Sequence, residues 1–119
     1  MNIVPGTTIA MKVKQSAQAA SGGSYLVQFE ADIEIKAAPP IEVSVESVYP
    51  NDPDQSDVEE ARQAIRNGCA EVLGPINCGA HVVVHELAIH PVDFRPEKHS
   101  RWTAIALQRQ LDNLSSIDS

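Results

Sequence analysis

The sequence predicts an α+β domain, a two-layer sandwich in which a mixed four-stranded sheet has two helices on one face. Three observations lead to this fold class. Three early segments alternate apolar and polar residues with the period of a strand, and a later segment is rich in valine. Two other segments repeat apolar residues every three or four positions, as a helix does. Their order is strand, strand, strand, helix, strand, helix.

The first two strands are predicted from alternation alone. The first begins at Thr8-Ile9 and ends near Gln15, and a flexible hairpin loop follows over residues 16–24. The second covers Tyr25–Lys36 and is the clearest alternation in the chain. Its outward side carries several carboxylates, so we expect that face of the sheet to contact water rather than a second layer of helices.

Two further strands complete the predicted sheet. The third follows the break at Pro39-Pro40 and is expected to extend from Ile41 to Tyr49. The fourth covers roughly His81–Ile89, where consecutive valines favour a buried strand over a helix of the same length.

The first helix is predicted over Ser56–Leu73. Ser56 and Glu59 have the spacing of a capping box, and Gly74 followed by Pro75 indicates a left-handed position and a helix stop. One apolar stripe is formed by Val58, Ala61, Ile65, Cys69 and Val72. We therefore expect Cys69 to be a reduced core residue.

The second helix is predicted over about Ser100–Leu114, with Ala104, Leu107, Leu111 and Leu114 on one face. The 119 residues form one domain, in which 1–6 and 115–119 are expected to be loose ends. No apolar run approaches the length of a membrane span and no secretory signal is visible, so a cytoplasmic location is expected. The net charge of −7 opposes long-range attraction to polyphosphates.

The histidines and the cysteine that could suggest catalysis are better explained as residues with structural roles. On a strand, His81 and His85 are separated by about 13 Å, so they are not expected to share a metal ion. Cys69 lies on an apolar stripe, and no phosphate-binding loop is present. The sequence thus predicts a non-catalytic protein without metal, nucleotide or other cofactor.

Several motifs are shared with a known family. The segment from Arg66 to Leu87 contains Gly74-Pro75 and Gly79 before a valine-rich strand, and Gln15-Ser16 precedes Ser21-Gly22-Gly23-Ser24-Tyr25 and, later, His90-Pro91-Val92-Asp93. Over most of its length the chain resembles domain IV of elongation factor G and related translocation factors, here as a stand-alone domain. The resemblance implies a left-handed βαβ crossover, and it implies that the two loops lie at one distal end, which in the family enters the ribosomal decoding region.

The resemblance also implies a basic tip at that end. It would gather five of the nine basic residues, with Gln15, Gly22 and Gly23 shaping the first loop and His90 beside the second; the five are Lys12, Lys14, Arg95, Lys98 and Arg101. Phe94 and Trp102 would offer stacking surfaces for exposed bases, although Trp102 is better explained as a core residue.

Two functions of different classes remain open. The first is a translation-factor-like module that contacts the ribosome or structured RNA through its tip loops. The second is a protein-interaction or self-associating scaffold module that uses an exposed sheet edge or the acidic face. The clustered basic residues favour the first function, and the acidic net charge favours the second. Neither requires a membrane.

Overall fold

A computed structural model of the chain describes residues 4–17, 24–49, 54–90 and 93–117. Within these residues the chain forms five strands, two α-helices and a single 3-10 turn over Gly74–Ile76. The strands are β1 (Thr8–Ala17), β2 (Tyr25–Lys36), β3 (Ile41–Val45), β4 (Val48–Tyr49) and β5 (Gly79–Ala88). The helices are α1 (Gln55–Leu73) and α2 (Pro96–Ile117). The predicted α+β class and two-layer arrangement are confirmed.

The sheet is mixed and has the strand order β1-β2-β5-β3, with β4 also paired to β5. β2 lies antiparallel to both β1 and β5, whereas β3 and β4 lie parallel to β5. The predicted third strand is therefore two strands, interrupted at Glu46 and Ser47. These two residues still bond to β5, because Glu46 N donates to Val84 O at 2.8 Å and Leu87 N donates to Ser47 O at 3.0 Å.

The core lies between the sheet and the two helices. Its largest fully buried side chains come from both layers and include Met11, Phe29, Ile33, Ile65, Leu73, Leu87, Leu107 and Leu111. The alternate strand residues are exposed on the opposite side, which is called the open face below. It carries Lys12, Lys14, Gln28, Glu30, Asp32, Lys36, Glu42, Ser44, His81, His85 and Glu86. Because β1, β2 and β3 alternate between buried and exposed residues, both helices cover one face, as predicted.

The crossover from β3 through α1 to β5 joins two parallel, adjacent strands. Its left-handed sense stays a prediction from the resemblance. Two arginines of α1 reach the outer side of β3: Arg62 Nη1 donates to Val43 O at 3.4 Å, and Arg66 Nε donates to Ile41 O at 3.0 Å. These bonds occupy carbonyl groups that an edge strand would otherwise offer to another chain.

α1 ends at Leu73 as predicted and begins one residue early, but the capping at both ends differs from the prediction. The N-cap is Asp54, whose carboxylate accepts bonds from the Ser56 amide at 2.8 Å and the Ser56 hydroxyl at 2.7 Å. The capping-box prediction is therefore wrong, and Glu59 pairs with Arg62 instead. The predicted left-handed backbone conformation of Gly74 is also wrong, because Gly74 is in the right-handed helical conformation (φ −56°, ψ −49°). A 3-10 turn continues the helix, and the left-handed conformation occurs at Asn77 (φ 56°), where the chain reverses.

α2 begins four residues before the predicted Ser100 and continues past Leu114 to Ile117. The early start is explained by Pro96, because proline has a helical φ and lacks an amide hydrogen that the first turn would leave unpaired. α1 and α2 pack closely at Gly68, where an added Cβ would lie 2.4 Å from Ser100 O and 2.8 Å from Thr103 Cβ. Neither helix is long and apolar enough to cross a membrane, judged over the residues that the structure describes.

Candidate functional site

The two connections that the resemblance places together do lie at one end of the sheet. The start of β2 bonds to the connection between β5 and α2, because Leu26 N donates to Asp93 O at 3.2 Å and the Ser24 hydroxyl donates to Asp93 Oδ1 at 2.8 Å. This end of the molecule, where the β1–β2 and β5–α2 connections meet, is called the tip. Gly22 and Gly23, which were expected to shape it, lie outside the described residues.

Lys98 and Arg95 lie at the tip. The Lys98 ammonium sits 5.0 Å from the centroid of the Tyr25 ring, which is a cation–π distance and joins the first turn of α2 to the first residue of β2. Arg95 is half-buried, and its Nη1 donates to Phe94 O at 3.1 Å. Exposed His90 belongs to the same connection, and its carbonyl accepts from Asp93 N at 2.9 Å.

The residues of β1 that were expected at the tip differ in position and in charge pairing. Lys14 is exposed opposite Gln28, and half-buried Gln15 follows it. Lys12 lies farther from the tip, opposite Glu30, and forms an ion pair with it at 3.2 Å. Since Glu30 offsets its charge, Lys12 adds little positive potential to the tip.

Arg101 does not lie at the tip. It is exposed five residues into α2 and lines a groove between the helices together with Glu71, Glu97 and Ala104. A helix advances about 1.5 Å per residue, so Arg101 is displaced along α2 and rotated toward α1. The structure thus brings Arg95 and Lys98 together at the tip, whereas Lys12 and Lys14 lie on the open face and Arg101 lies in the groove between the helices.

The aromatic residues near the tip belong to the core. Phe94 is only 9% exposed and contacts the His99 ring edge to face, at 5.2 Å between centroids. Half-buried Trp102 packs against the core, in agreement with the preferred interpretation. Phe94 is therefore not an accessible stacking surface, because the connection turns its ring inward.

His99 is fully buried and contributes no charge to the tip. Its Nδ1 lies 3.2 Å from Arg95 O, a distance at which a neutral imidazole donates a hydrogen bond. Burial lowers the pKa of His99 despite that bond and the nearby Glu97 carboxylate, so the neutral form predominates at neutral pH.

The sequence did not reveal a histidine held between two carboxylates on the open face. His85 Nε2 lies 2.8 Å from Asp32 Oδ2, and its Nδ1 bonds to Glu46. Both bonds favour the imidazolium, so the pKa of His85 is raised, by Asp32 first and then by Glu46. His85 follows the alternation of His81 and Val83 on the open face, and a β-bulge at this point, where Glu30 pairs with Glu86 but Ala31 pairs with Val84, exposes Glu86 as well.

The geometry around His85 does not suit a metal ion. Each carboxylate contacts a different ring nitrogen, so the two acids lie on opposite sides of the imidazole and do not converge. No cluster of three or more acidic, histidine or cysteine side chains among the described residues could hold a metal. Consecutive polar residues at His85-Glu86, inside an otherwise apolar strand, were the available signal of a bulge.

Cys69 is a core residue, as predicted. It is fully buried in α1, and burial raises the pKa of its thiol to about 12. A thiol with this pKa carries negligible thiolate at neutral pH, so Cys69 does not have the properties of a nucleophile.

Comparison with known proteins supports the fold only. No protein-family model matches the chain, and no curated protein matches it. The structure is similar to the crystal structure of ttk003000868 from Thermus thermophilus, with a TM-score of 0.50 and 13% sequence identity. The similarity covers 88% of this chain but only 16% of that protein, so this fold is a small part of the longer chain. The molecule is accordingly a two-layer α+β domain with two converging connections at one end.

Proposed function

We propose that this chain is a non-catalytic module, similar to domain IV of elongation factor G, that contacts the ribosome or another structured RNA through its tip. The supporting observation is that the connection before α2 meets the start of β2, which brings Arg95 and Lys98 together at that end. Two cations at one end of the molecule suit a phosphate backbone, which is contacted mainly through Lys and Arg.

The charge of the whole molecule sets how this contact would behave. With a net charge of −7, attraction to RNA is local and short-ranged, and it is screened beyond about 10 Å at 0.1 M salt. Each lysine or arginine that meets a phosphate steepens the logarithmic salt dependence by roughly 0.7 to 0.9. We therefore expect weak binding that decreases strongly with modest increases in salt.

Co-sedimentation with ribosomes over a range of salt concentrations tests the proposal. Reversing Arg95 and Lys98 together to Glu should lower the salt slope by about 1.4 to 1.8, which corresponds to two lost phosphate contacts. The matched controls are Lys36→Glu, on the open face, and Arg101→Glu, in the groove between the helices. The proposal fails if wild type does not bind, or if a control weakens binding as much as the double reversal.

A second candidate function is a protein-interaction module or self-associating scaffold that uses the open face. Around His85 this face presents the carboxylates of Glu30, Asp32, Glu34, Glu42, Glu46 and Glu86. Its lysines are fewer, and Lys12 and Lys36 already pair with Glu30 and Glu34. A basic protein partner would suit it, and its binding would respond to Glu42→Lys but not to Lys98→Glu.

A further inference from the structure

One edge of the sheet offers unpaired backbone groups. In an antiparallel pair, only alternate residues exchange hydrogen bonds with the partner strand. Ile35 N donates to Thr7 O at 2.9 Å, and the register continues as Ile9 opposite Ile33. The odd-numbered residues of β1 therefore bond to β2. The even-numbered ones, which are Thr8, Ala10, Lys12, Lys14 and Ser16, direct their N–H and C=O groups outward, where no other described strand pairs with them.

A groove runs beside this edge. Its wall is formed by α2 residues Trp102, Ile105, Ala106 and Arg109, and β1 forms the other side; the enclosed volume is about 170 Å³. A strand added to β1 would lie about 4.8 Å from it, and successive side chains would point to opposite faces of the sheet. Every second side chain of that strand would enter the groove beside Trp102 and Ile105, and the others would extend over the open face.

The charges around the edge indicate the chemistry of the occupant. Lys12 and Lys14 flank the edge on the open face, and Arg109 lies on the helix side. Lys12 is already paired with Glu30 at 3.2 Å, so Lys14 is the lysine beside which acidic side chains of an added strand would sit. A second copy of β1 fits poorly, because antiparallel self-pairing would place lysines of the two chains opposite each other.

We propose that the groove between the edge of β1 and α2 binds an extended peptide segment as an added strand, in which apolar residues alternate with acidic ones. The apolar side chains occupy the groove lined by Trp102 and Ile105, the acidic ones lie on the open face where they contact Lys14, and the backbone bonds to the outward groups of β1. This surface is separate from Arg95 and Lys98, so it is a second interaction surface in addition to the tip.

A designed peptide tests the site directly. The probe is a blocked heptapeptide that alternates glutamate and valine, titrated into the full chain. The chain contains one tryptophan, Trp102, which lines the groove and reports binding by its fluorescence. We expect a saturable emission change. A peptide with lysine in place of glutamate should bind about tenfold more weakly or worse, and so should one N-methylated at the amides that would face β1.

Variants of the chain give an independent test. Lys14→Pro removes an outward N–H and leaves the bonds to β2 in place, so it should weaken binding about tenfold, as should Arg109→Glu. Lys36→Ala is the matched control and should bind as wild type does. Arg95→Glu with Lys98→Glu, which tests the tip, should also leave peptide binding unchanged, so the two proposals fail separately.

Several results would overturn the proposal. Absence of an emission change with the acidic peptide would do so, and so would equal binding of the acidic, basic and N-methylated peptides. Dimerisation of the chain alone that is abolished by Lys14→Pro would assign the edge to a second copy instead. Because the N-methylated peptide is compared on the unmodified chain, a folding defect in Lys14→Pro does not prevent a decision.

Discussion

Gly68→Ala is expected to destabilise the protein, although alanine is the better helix former. Gly68 lies in the middle of α1 where α2 crosses it, and an added Cβ would be 2.4 Å from the backbone oxygen of Ser100. That atom belongs to α2 itself and does not rotate away as a flexible side chain would. The methyl group of Thr103 would lie at 3.1 Å, so the neighbouring residues leave no alternative space. The two helices must therefore move apart.

The expected magnitude follows from two opposing terms. Replacing glycine by alanine inside a helix gains about 1 kcal/mol, whereas overpacking a well-filled contact costs typically about 1–3 kcal/mol and sometimes more. Because the clash is with backbone, we take the upper part of that range and expect a net loss of about 1–2 kcal/mol. For 119 residues, an unfolding entropy of about 2.1 cal/mol/K per residue converts this loss to a decrease in Tm of about 4–8 °C.

Thermal and urea unfolding, followed by circular dichroism, measure the change. Gly74→Ala is the matched control, because Gly74 is also right-handed but an added Cβ would meet nothing within 4 Å apart from its chain neighbours. Because the following Pro75 disfavours a helical alanine and so offsets the entropic gain, stability should change by less than about 1 kcal/mol. A Gly68→Ala protein as stable as wild type would show that the helices are not held together at this point.

Three further outcomes are expected. Ile65→Ala should cost about 2–5 kcal/mol in urea unfolding, because Ile65 is fully buried in the core, and a smaller loss would mean that the site collapses around the cavity. The pKa of His85 is raised in the folded state, so the stability that its charged form contributes is complete below about pH 6.5 and is lost as the pH rises through the raised pKa. His85→Gln should therefore flatten the decline in Tm on the alkaline side. An unchanged profile of Tm against pH would refute this. In a Cys78→Ser protein, in which Cys69 is the one remaining thiol, Cys69 should resist thiol reagents until the protein unfolds, whereas rapid labelling of that native protein would contradict its burial.

Alternation and helical periodicity were sufficient to predict the layers of this fold. The bounds of β2 agree at both ends, because each of its residues from Val27 to Lys36 faces either core or water without interruption. Helix ends were less predictable, since several neighbouring residues can each act as the N-cap. Asp54 and Ser56 are both good N-caps, and the choice between them depends on backbone geometry that the sequence does not display.

The site was predicted only in part. The resemblance implied that the two connections lie at one end, and the bonds from Leu26 and Ser24 to Asp93 bring them together there. The direction of each basic side chain depends on local geometry. Arg101 lies toward α1 because of its position along the helix, and Lys12 pairs with Glu30 because of the β1–β2 register. The exposure of Glu86 beside His85 requires a β-bulge, which arises from pairing between distant residues.

The two outer edges of the sheet differ in how many of their backbone groups are already bonded, and this difference affects how domains could associate through their sheets. Arg62 and Arg66 occupy carbonyl groups on the outer side of β3, whereas the described part of the chain provides no such covering along the backbone of β1. Stacking of whole domains through their sheets needs an open edge on both sides of each domain. Because two outward carbonyl groups of β3 are already bonded to arginines, such edge-to-edge propagation is disfavoured, and the fold is a poor template for filaments.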